Sequence, residues 1–430
     1  MWKKVYMWFS FKKIRRNIKH KAMTGMALIL SVAILSGCGI GKLQFPKVVD
    51  GGVVGEEIMH VSTIFAMDTV MDIQVYGGEE AEGFLADAEN QIRTLEKELS
   101  VTDENSEIAG LNAAGSARLS EEPAQIMKEA LRYCDSTGGA LDITIYPVLR
   151  AWGFTTGEYQ VPGDEEIAGL LENVDYRSVT LEEVDAATLC TIPKGMQVDL
   201  GSVTKGYTSR KLAQYFRDNG VTSALINLGG NVECVGNKPN GSKWNVAVKS
   251  PFKDSDSGIL GVIQASDEAI ITSGGYERYF EENGETYWHI IDPSTGKPAR
   301  NGLISVTIIG KDGLMCDALS TALFVKGRDG AIDYYRKYSA ASADSSSAAN
   351  DKEGNIEDSD SAANDKTENG ANGDIVANDG TENGADVTGQ ESSFDMILVT
   401  TEGDVYITPG VAERFSLSSE YHDLSLHVLD

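Results

Sequence analysis

Positive charge is scarce in this chain. Its 430 residues include 37 Lys and Arg against 65 Asp and Glu, a formal net charge of −28 at pH 7. A protein of this charge repels nucleic acid and anionic lipid, so nonspecific binding to either is excluded. A phosphorylated ligand would need local cations or a metal ion to be held here.

Cysteine and histidine are equally scarce, with five of each. The four cysteines after Cys38 lie far apart, with no C-x-x-C pair and no histidine nearby, so a zinc site is not expected. Buried thiols and a single disulfide both remain open for these residues, which are Cys134, Cys190, Cys234 and Cys316.

The apolar run MALILSVAIL at 26–35 is too short to cross a bilayer comfortably. It follows a basic stretch and leads into Leu35-Ser36-Gly37-Cys38, an arrangement typical of a secretory signal. The tetrapeptide resembles the bacterial lipoprotein box, in which the cysteine is lipidated and becomes the new N-terminus; an ordinary N-terminal membrane anchor is the alternative. We expect a signal peptide at 1–37 and a protein held through Cys38 on the extracytoplasmic face of the cell membrane.

The remaining chain alternates between strand and helix patterns. We expect a tether at 38–58, one domain at 59–430, and within it a disordered acidic insert at about 340–393, rich in Ser, Ala, Asn, Gly and Asp. Predicted helices include 81–99, 123–139, 203–220 and 313–327, and predicted strands include 62–77, 196–200, 287–293 and a hairpin at 394–410. Because no strict β-α-β repeat is visible, the pattern predicts an α+β fold.

The stretch VDLGSVTKGY at 198–207 joins a strand pattern to a helix pattern. Unpaired N–H groups in the first helical turn suit a phosphate, and Lys205 would add a full positive charge. The alternative is a capped helix with a surface lysine. Neither the Walker loop nor a dinucleotide glycine motif is present to decide between them.

Three further places could carry chemistry. Asp317 and Thr321 are four residues apart on a predicted helix and face the same way, and their oxygens suit Mg²⁺, although this spacing is common in ordinary helices. His289 and Asp292 lie before a Pro-Gly turn, where they could move a proton or make structural hydrogen bonds. Trp152 offers either a flat surface for an aromatic ligand or ordinary core packing.

The order of these blocks carries more information than any one of them. FAMDTVMDIQVYG, TGGALDITIYPVLRAWGF, VDLGSVTKGY, INLGGN, TSGGYERYF, HIIDPSTGKP and CDALSTALFVKG follow one another along the chain. The chain therefore resembles the ApbE-type FAD:protein FMN transferases, from about residue 60 to 335 and again from about 394. The resemblance implies mixed sheets with packed helices of the T-fold-like kind. It also implies Mg²⁺-dependent transfer of FMN from FAD to a threonine hydroxyl of an extracytoplasmic redox subunit, with release of AMP.

The same resemblance implies roles for individual residues. Those expected to contact or border the flavin dinucleotide are Met67, Ala151, Trp152, Gly153, Asp199, Lys205 and Ile291. Mg²⁺ is expected on the side chains of Asp317 and Thr321 and on a main-chain oxygen of Ser202, with His289 or Asp292 assisting proton removal. An FAD pyrophosphatase and a flavin-binding lipoprotein without catalysis are the alternatives.

Two positions depart from the family pattern. Asp68 stands where relatives often have glycine, which places an extra carboxylate near the ligand. No aromatic residue follows Ser100 at the second position, so a stacking contact on the flavin is either missing or supplied elsewhere, for example by Tyr146 or Tyr276.

Overall fold

The structure is a computed structural model that describes residues 44–49, 52–350 and 393–430. In chain order these residues form β1 (Gln44–Val49), β2 (Gly52–Ala66), β3 (Thr69–Gly77), α1 (Ala81–Leu99), α2 (Glu107–Ala114), β4 (Ser116–Leu119), α3 (Glu121–Ser136), α4 (Tyr146–Ala151), α5 (Asp164–Leu171), β5 (Thr180–Val184), β6 (Ala187–Thr191), α6 (Thr204–Asp218), β7 (Ser223–Leu228) and β8 (Asn231–Gly236). The later elements are β9 (Trp244–Lys249), β10 (Ile259–Ala265), β11 (Ala269–Gly274), β12 (Tyr279–Glu282), β13 (Glu285–Trp288), β14 (Ile291–Asp292), β15 (Lys297–Pro298), β16 (Leu303–Gly310), α7 (Gly313–Asn350), β17 (Phe394–Thr400), β18 (Val405–Ile407), α8 (Pro409–Ala412), β19 (Phe415–Leu417) and β20 (Leu426–Val428).

The largest sheet in the described part of the chain has ten strands in the order β1-β2-β3-β7-β8-β11-β16-β17-β18-β20. Neighbouring strands are antiparallel except β18 and β20. Helices α1, α6 and α7 pack on this sheet and on one another. Sheets and helices are thus mixed without a repeated β-α-β unit, and the predicted α+β class is confirmed.

Helix α1 shows how the apolar pattern determines packing. Its boundaries coincide with the predicted 81–99, and one face is buried at Ala81, Leu85, Ala88, Ile92, Leu95 and Leu99. Each of the larger side chains contributes about 1.5–3 kcal/mol when it leaves water. Helix α6 buries Leu212, Ala213 and Phe216 in the same manner, so two amphipathic helices cover the sheet beneath the candidate site.

Several predicted elements are wrong in detail. Residues 62–77 form a hairpin of β2 and β3 rather than one strand, because Met67 and Asp68 adopt φ of +46° and +59° and make a two-residue turn. Residues 196–200 form no strand and make only a single bridge from Gln197 to Ile145. The predicted strand at 287–293 is split into β13 and β14.

Two predicted segments overlap regular secondary structure. Strand β1 and the start of β2 lie inside the predicted tether, where Val48, Val49, Val53 and Val54 flank an Asp-Gly pair that favours a hairpin. Helix α7 has a break at Gly327 (φ +72°), where the helix was expected to stop, and its helical backbone then continues to Asn350. The predicted insert at about 340–393 thus overlaps the end of this helix, and its remainder, 351–392, lies outside the described residues.

The four cysteines left open by the sequence are buried thiols. Cys134, Cys190, Cys234 and Cys316 are all free, and burial raises the pKa of each thiol. Within residues 44–49, 52–350 and 393–430, no helix combines the length and apolar character needed to span a membrane.

Candidate active site

Three turns lie at the same end of neighbouring strands of the large sheet. The β2–β3 turn holds Met67 and Asp68, the β7–β8 turn holds Gly229 and Gly230, and β11 ends at Gly274. Antiparallel pairing of β3 with β7 and of β8 with β11 brings these ends together. The first two turns touch closely, since a Cβ on Gly229 would lie 2.1 Å from the Thr69 hydroxyl. Sequence blocks far apart in the chain therefore share one surface.

The first turn of α6 lies against the start of α7. A Cβ added to Gly206 would lie 2.2 Å from the carbonyl oxygen of Gly313, and one added to Gly313 would lie 2.4 Å from that of Gly206. Only glycine at both positions allows the two backbones to approach this closely. The approach carries Asp317, on α7, to the N-terminal end of α6.

Asp317 is held by the backbone of α6. Its Oδ2 accepts a 2.8 Å hydrogen bond from the main-chain N–H of Gly206, and the residue is only 5 % exposed. Burial raises the pKa of the carboxyl, while the Lys205 charge, the Gly206 N–H and the Asn231 amide act in the opposite direction. Asn231 is itself buried, and its Nδ2 makes no hydrogen bond of ordinary geometry with any described residue. The Asn231 amide is therefore a second buried polar side chain beside the Asp317 carboxylate.

Thr321 follows Asp317 by one helical turn, as predicted. Its hydroxyl lies 3.3 Å from that of Ser273, at the end of β11, and Ser273 lies 2.8 Å from the hydroxyl of Ser320. Ser320 in turn donates to the Asp317 carbonyl. The site thus combines one buried carboxylate with several neutral oxygen donors.

The segment Asp199–Lys205 is a tight turn followed by the helix. Asp199 Oδ1 accepts a 2.7 Å hydrogen bond from Gly201 N–H, and α6 begins at Thr204, so Ser202 lies in the turn and not in the helix. Burial raises the pKa of Asp199, and the charges of Arg278 and Lys205 lower it. The Lys205 charge lowers the pKa of both Asp199 and Asp317, so it lies close enough to act on both carboxylates.

His289 belongs to the same cluster. Its Nδ1 lies 3.2 Å from the carbonyl oxygen of Arg278, which can only accept, so Nδ1 carries the proton and Nε2 keeps its lone pair. Burial, with the charges of Arg278 and Lys205, lowers the pKa of His289 to about 3. The imidazole is therefore neutral at physiological pH.

The carboxylate of Asp292, the other predicted proton carrier, accepts hydrogen bonds within its own turn. Its Oδ1 accepts from the N–H of Ser294 at 2.9 Å and from the hydroxyl at 2.7 Å. This is the structural alternative that the sequence had left open. Neighbouring Ile291 is buried in an apolar cluster with Trp152.

The Trp152 side chain is also part of that cluster. It is 2 % exposed, donates from Nε1 to the Gly296 carbonyl at 2.8 Å, and packs against Phe280 and Tyr287. Because the faces of the Trp152 ring pack against core residues, they are not free to stack on a ligand. Any contact of this segment with the dinucleotide would therefore come from the backbone of Ala151 and Gly153. Gly153 has φ +83°, and a Cβ at this position would lie 2.2 Å from the carbonyl oxygen of Glu158. Both facts require glycine there.

Sequence reasoning missed three features of this site. Arg278 follows the Gly274-Gly275 pair in TSGGYERYF but was not singled out, although its charge lowers the pKa of Asp199 and of His289. Asn231 follows a Gly-Gly pair, a signal for close backbone approach that could have drawn attention to it. Glu96 accepts a 2.6 Å hydrogen bond from Met67 N–H, a long-range contact that no local pattern indicates.

The donor set fits a hard cation with few protein ligands. Among the described residues, no group of three or more His, Cys, Asp or Glu side chains is arranged to hold a metal ion. One buried carboxylate, a threonine hydroxyl and main-chain oxygen match the way Mg²⁺ binds, with water and substrate phosphate completing its shell.

Comparison with known proteins identifies the family. The ApbE family matches residues 67–343. An FAD:protein FMN transferase of Vibrio cholerae is 30% identical over 280 residues, covering 64% of this chain and 83% of the relative. Another, from Treponema pallidum, is 31% identical over 293 residues, covering 64% and 81%. This chain belongs to the ApbE family.

Solved structures support the same conclusion. The ApbE protein of Thermotoga maritima superposes with a TM-score of 0.62 at 26% identity, covering 81% of this chain and 96% of that one. The flavinyl transferase ApbE of Pseudomonas stutzeri, in its apo form, gives a TM-score of 0.60 at 20% identity, covering 86% and 97%; at this identity the likeness concerns the fold. The fold expected from the resemblance is confirmed.

Proposed function

We propose that this protein is an FAD:protein FMN transferase. The acceptor hydroxyl oxygen attacks the phosphorus on the FMN side of the diphosphate, the bond from that phosphorus to the bridging oxygen breaks, and AMP leaves with that oxygen. The hydroxyl proton passes to a base or to water, and FMN remains on the acceptor as a phosphoester. The family and the names of the relatives support this reaction.

The observation that carries the proposal is the buried Asp317 at the N-terminal end of α6, beside Lys205. A helix N-terminus and a lysine attract the diphosphate, whose negative charge must otherwise be held by a strongly acidic protein. Arg278 adds a second cation near Asp199 and His289. These groups make the site the place where a dinucleotide could be bound in a chain of net charge −28.

His289 is the group we assign to the proton. Its Nε2 lone pair is directed by the Nδ1 contact to Arg278, and a neutral imidazole can accept a proton from the attacking hydroxyl. The low pKa of about 3 makes it a weak base in the absence of ligand. Bound diphosphate would offset the Arg278 and Lys205 charges and raise that pKa toward a useful range.

We also propose that Mg²⁺ is held by the Asp317 carboxylate, the Thr321 hydroxyl and a main-chain oxygen at Ser202. When bound, it would neutralise diphosphate charge and favour departure of AMP. Support comes from the buried Asp317 carboxylate and from the Thr321 hydroxyl one helical turn later on the same helix. The Asn231 amide beside this carboxylate is an N–H donor, so it suits a phosphate oxygen rather than the cation.

The acceptor and the location are proposed at a coarser level. A threonine of an extracytoplasmic redox subunit is the acceptor that the resemblance implies, and lipid on Cys38 would place the enzyme on the same side of the membrane. The basic stretch, short apolar run and Leu35-Ser36-Gly37-Cys38 support the anchor. Mass spectrometry of Cys38 in membrane extracts tests it: a diacylglyceryl mass supports the anchor, and an unmodified cysteine rejects it.

The transfer reaction is tested with the protein, FAD, Mg²⁺ and a threonine-containing acceptor protein. Flavin fluorescence on the acceptor in a denaturing gel, with AMP released in equal amount, supports the proposal. AMP release without labelling would indicate hydrolysis of FAD, and FAD binding with neither product would indicate a binding protein. Either of these outcomes rejects the transferase.

A further inference from the structure

A buried carboxyl lies behind the candidate site and takes no part in the proposed reaction. Glu233, on β8, is 1 % exposed and sits in the central part of the sheet beneath the crossing of α6 and α7. The cations whose charge reaches it, Arg210 and Arg217, already have partners. Arg210 pairs with Glu129 and Asp312, and Arg217 pairs with Asp267. An ionised Glu233 would have no counter-charge of its own.

Hydrogen-bond counting at Ser209 favours a proton on this carboxyl. The Ser209 Oγ lies 3.0 Å from Oε2 of Glu233 and 3.1 Å from the carbonyl oxygen of Gly206. A hydroxyl has one proton to donate, and both neighbours are acceptors if Glu233 is ionised. If the carboxyl is neutral it donates to Ser209, which then donates to Gly206, and both contacts of the hydroxyl are hydrogen bonds.

This chain of groups ends at Asp317. Gly313 is enclosed by the Gly206 carbonyl, Oε2 of Glu233 and the Ser209 hydroxyl, each within 3 Å of where its Cβ would stand. Gly206 meanwhile donates its N–H to Asp317. The carboxyl, the hydroxyl and the two glycines together set the position of the first turn of α6.

We propose that Glu233 is protonated in the working protein and acts as a positioning residue for Asp317. It donates to Ser209, Ser209 donates to the carbonyl of Gly206, and the N–H of the same Gly206 holds the Asp317 carboxylate. Loss of the proton takes the Ser209 hydrogen away from Gly206 and puts an unpaired charge beside the helix crossing. The activity part of this inference rests on the proposed function; the conformational part does not.

The surroundings of Glu233 support the assignment. Burial raises its pKa from 4.5 to about 7, the charge of Asp312 adds to the rise, and Ser209 and the two arginines oppose it. Titratable and charged groups face it from each packed element, and these are Arg210 and Arg217 of α6, Asp312 before α7, Cys316 of α7 and Cys234 of its own strand. The proton therefore leaves in the physiological range.

The activity test uses the full chain with saturating FAD and Mg²⁺ and compares pH profiles. We take the rate of FMN transfer by the native protein and divide it by the rate of the Glu233→Gln variant at the same pH. This ratio should fall about tenfold from pH 6 to pH 8, because the neutral fraction of Glu233 falls by that factor. The glutamine amide donates to Ser209 at every pH, so this variant has no such fall. Glu268→Gln, which alters a buried carboxyl outside the helix crossing, should keep the native profile.

A second measurement needs no ligand and no activity. Amide hydrogen exchange at Gly206, corrected for the intrinsic pH dependence, should speed up above about pH 7 in the native protein and remain slow in Glu233→Gln. The raised pKa also means that the neutral carboxyl stabilises the fold fully below about pH 4.5 and loses this effect as pH passes about 7. The unfolding temperature of the native protein should therefore decline relative to the glutamine variant over that range.

Identical pH dependence of native protein and Glu233→Gln in exchange and unfolding would overturn the inference, whether or not FMN is transferred. Ser209→Ala provides an independent check, since it interrupts the chain of hydrogen bonds. Adding Glu233→Gln to Ser209→Ala should then change the pH profile of Gly206 exchange no further. An effect of Glu233→Gln that persists in full without the serine hydroxyl would also overturn it.

Discussion

The main-chain N–H of Gly206 donates a 2.8 Å hydrogen bond to Oδ2 of Asp317, across 111 residues of sequence. One residue opens a helix on the sheet and the other lies on a second helix, so this bond joins the two halves of the candidate site. It also orients the carboxylate, leaving its other oxygen for a further partner. Most of the following predictions concern this contact.

Replacing the charge of Asp317 should separate function from stability. Asp317→Asn keeps the shape and can still accept from Gly206, but it cannot neutralise a cation. Transfer should fall by roughly 10²–10³-fold. Because burial raises the pKa of Asp317, the ionised form opposes folding at neutral pH without a metal, and the amide removes this penalty. Thermal unfolding without divalent cations should therefore occur at an equal or higher temperature; a large decrease would contradict the assignment.

A methyl group at the helix crossing should be costly. Gly206→Ala places a Cβ 2.2 Å from the Gly313 carbonyl, and we expect a loss of about 1–3 kcal/mol in urea unfolding, as for overpacked cores. Gly169→Ala in α5 is the matched control, since nothing lies within 4 Å of its Cβ. That change should stabilise by up to about 1 kcal/mol through helix propensity. Equal effects at the two glycines would rule out the close crossing.

The turn at Asp68 carries strain that glycine would relieve. Asp68 has φ +59°, and Asp68→Gly should stabilise the protein by roughly 1 kcal/mol in urea unfolding. It also removes a carboxylate from the site edge, so FAD should bind more tightly by calorimetry. Asn283→Gly, at φ +52° in the β12–β13 turn, should affect stability in the same direction and leave FAD binding unchanged. Unchanged FAD affinity in Asp68→Gly would place that carboxylate away from the ligand.

The protonation of His289 should respond to FAD. Its pKa is lowered to about 3, so the imidazole Cε1 proton signal, assigned with His289→Gln, should not titrate between pH 8 and about 4. Bound FAD offsets the nearby cations and should raise that pKa. His289→Gln should keep FAD binding and lose roughly 10²–10⁴-fold of the transfer rate. An imidazole that titrates near 6.5 without ligand would contradict the geometry.

Local patterns predicted the parts of this protein that depend on local physics. The apolar stripe of α1 follows from helical periodicity and is found as expected. The same periodicity puts Thr321 one turn after Asp317 on α7. The β2–β3 turn was not predicted because Asp68 stands in it. Aspartate can adopt the left-handed backbone conformation but does so less readily than glycine, so it is a weak signal for such a turn. Such a turn is specified by pairing of the flanking strands, which extends over nine residue pairs.

Contacts between distant residues could not be read from the sequence. The approach of Gly206 to Gly313 and the position of Glu233 beneath it depend on how two helices cross on the sheet. The Trp152 indole was open between ligand stacking and core packing, and only its neighbours Phe280 and Tyr287, more than a hundred residues later, determine that it is core. These features are determined by tertiary packing.

The central claim is that a cation held at Asp317 and Thr321 lets this acidic protein bind the diphosphate of FAD. Calorimetric titration of FAD into the native protein, once with Mg²⁺ and once with a chelator, tests it most directly. We predict binding at least about tenfold tighter with Mg²⁺, one factor of ten corresponding to about 1.4 kcal/mol, and no such difference in Asp317→Asn. Equal affinity of the native protein for FAD with Mg²⁺ and with the chelator would contradict the claim.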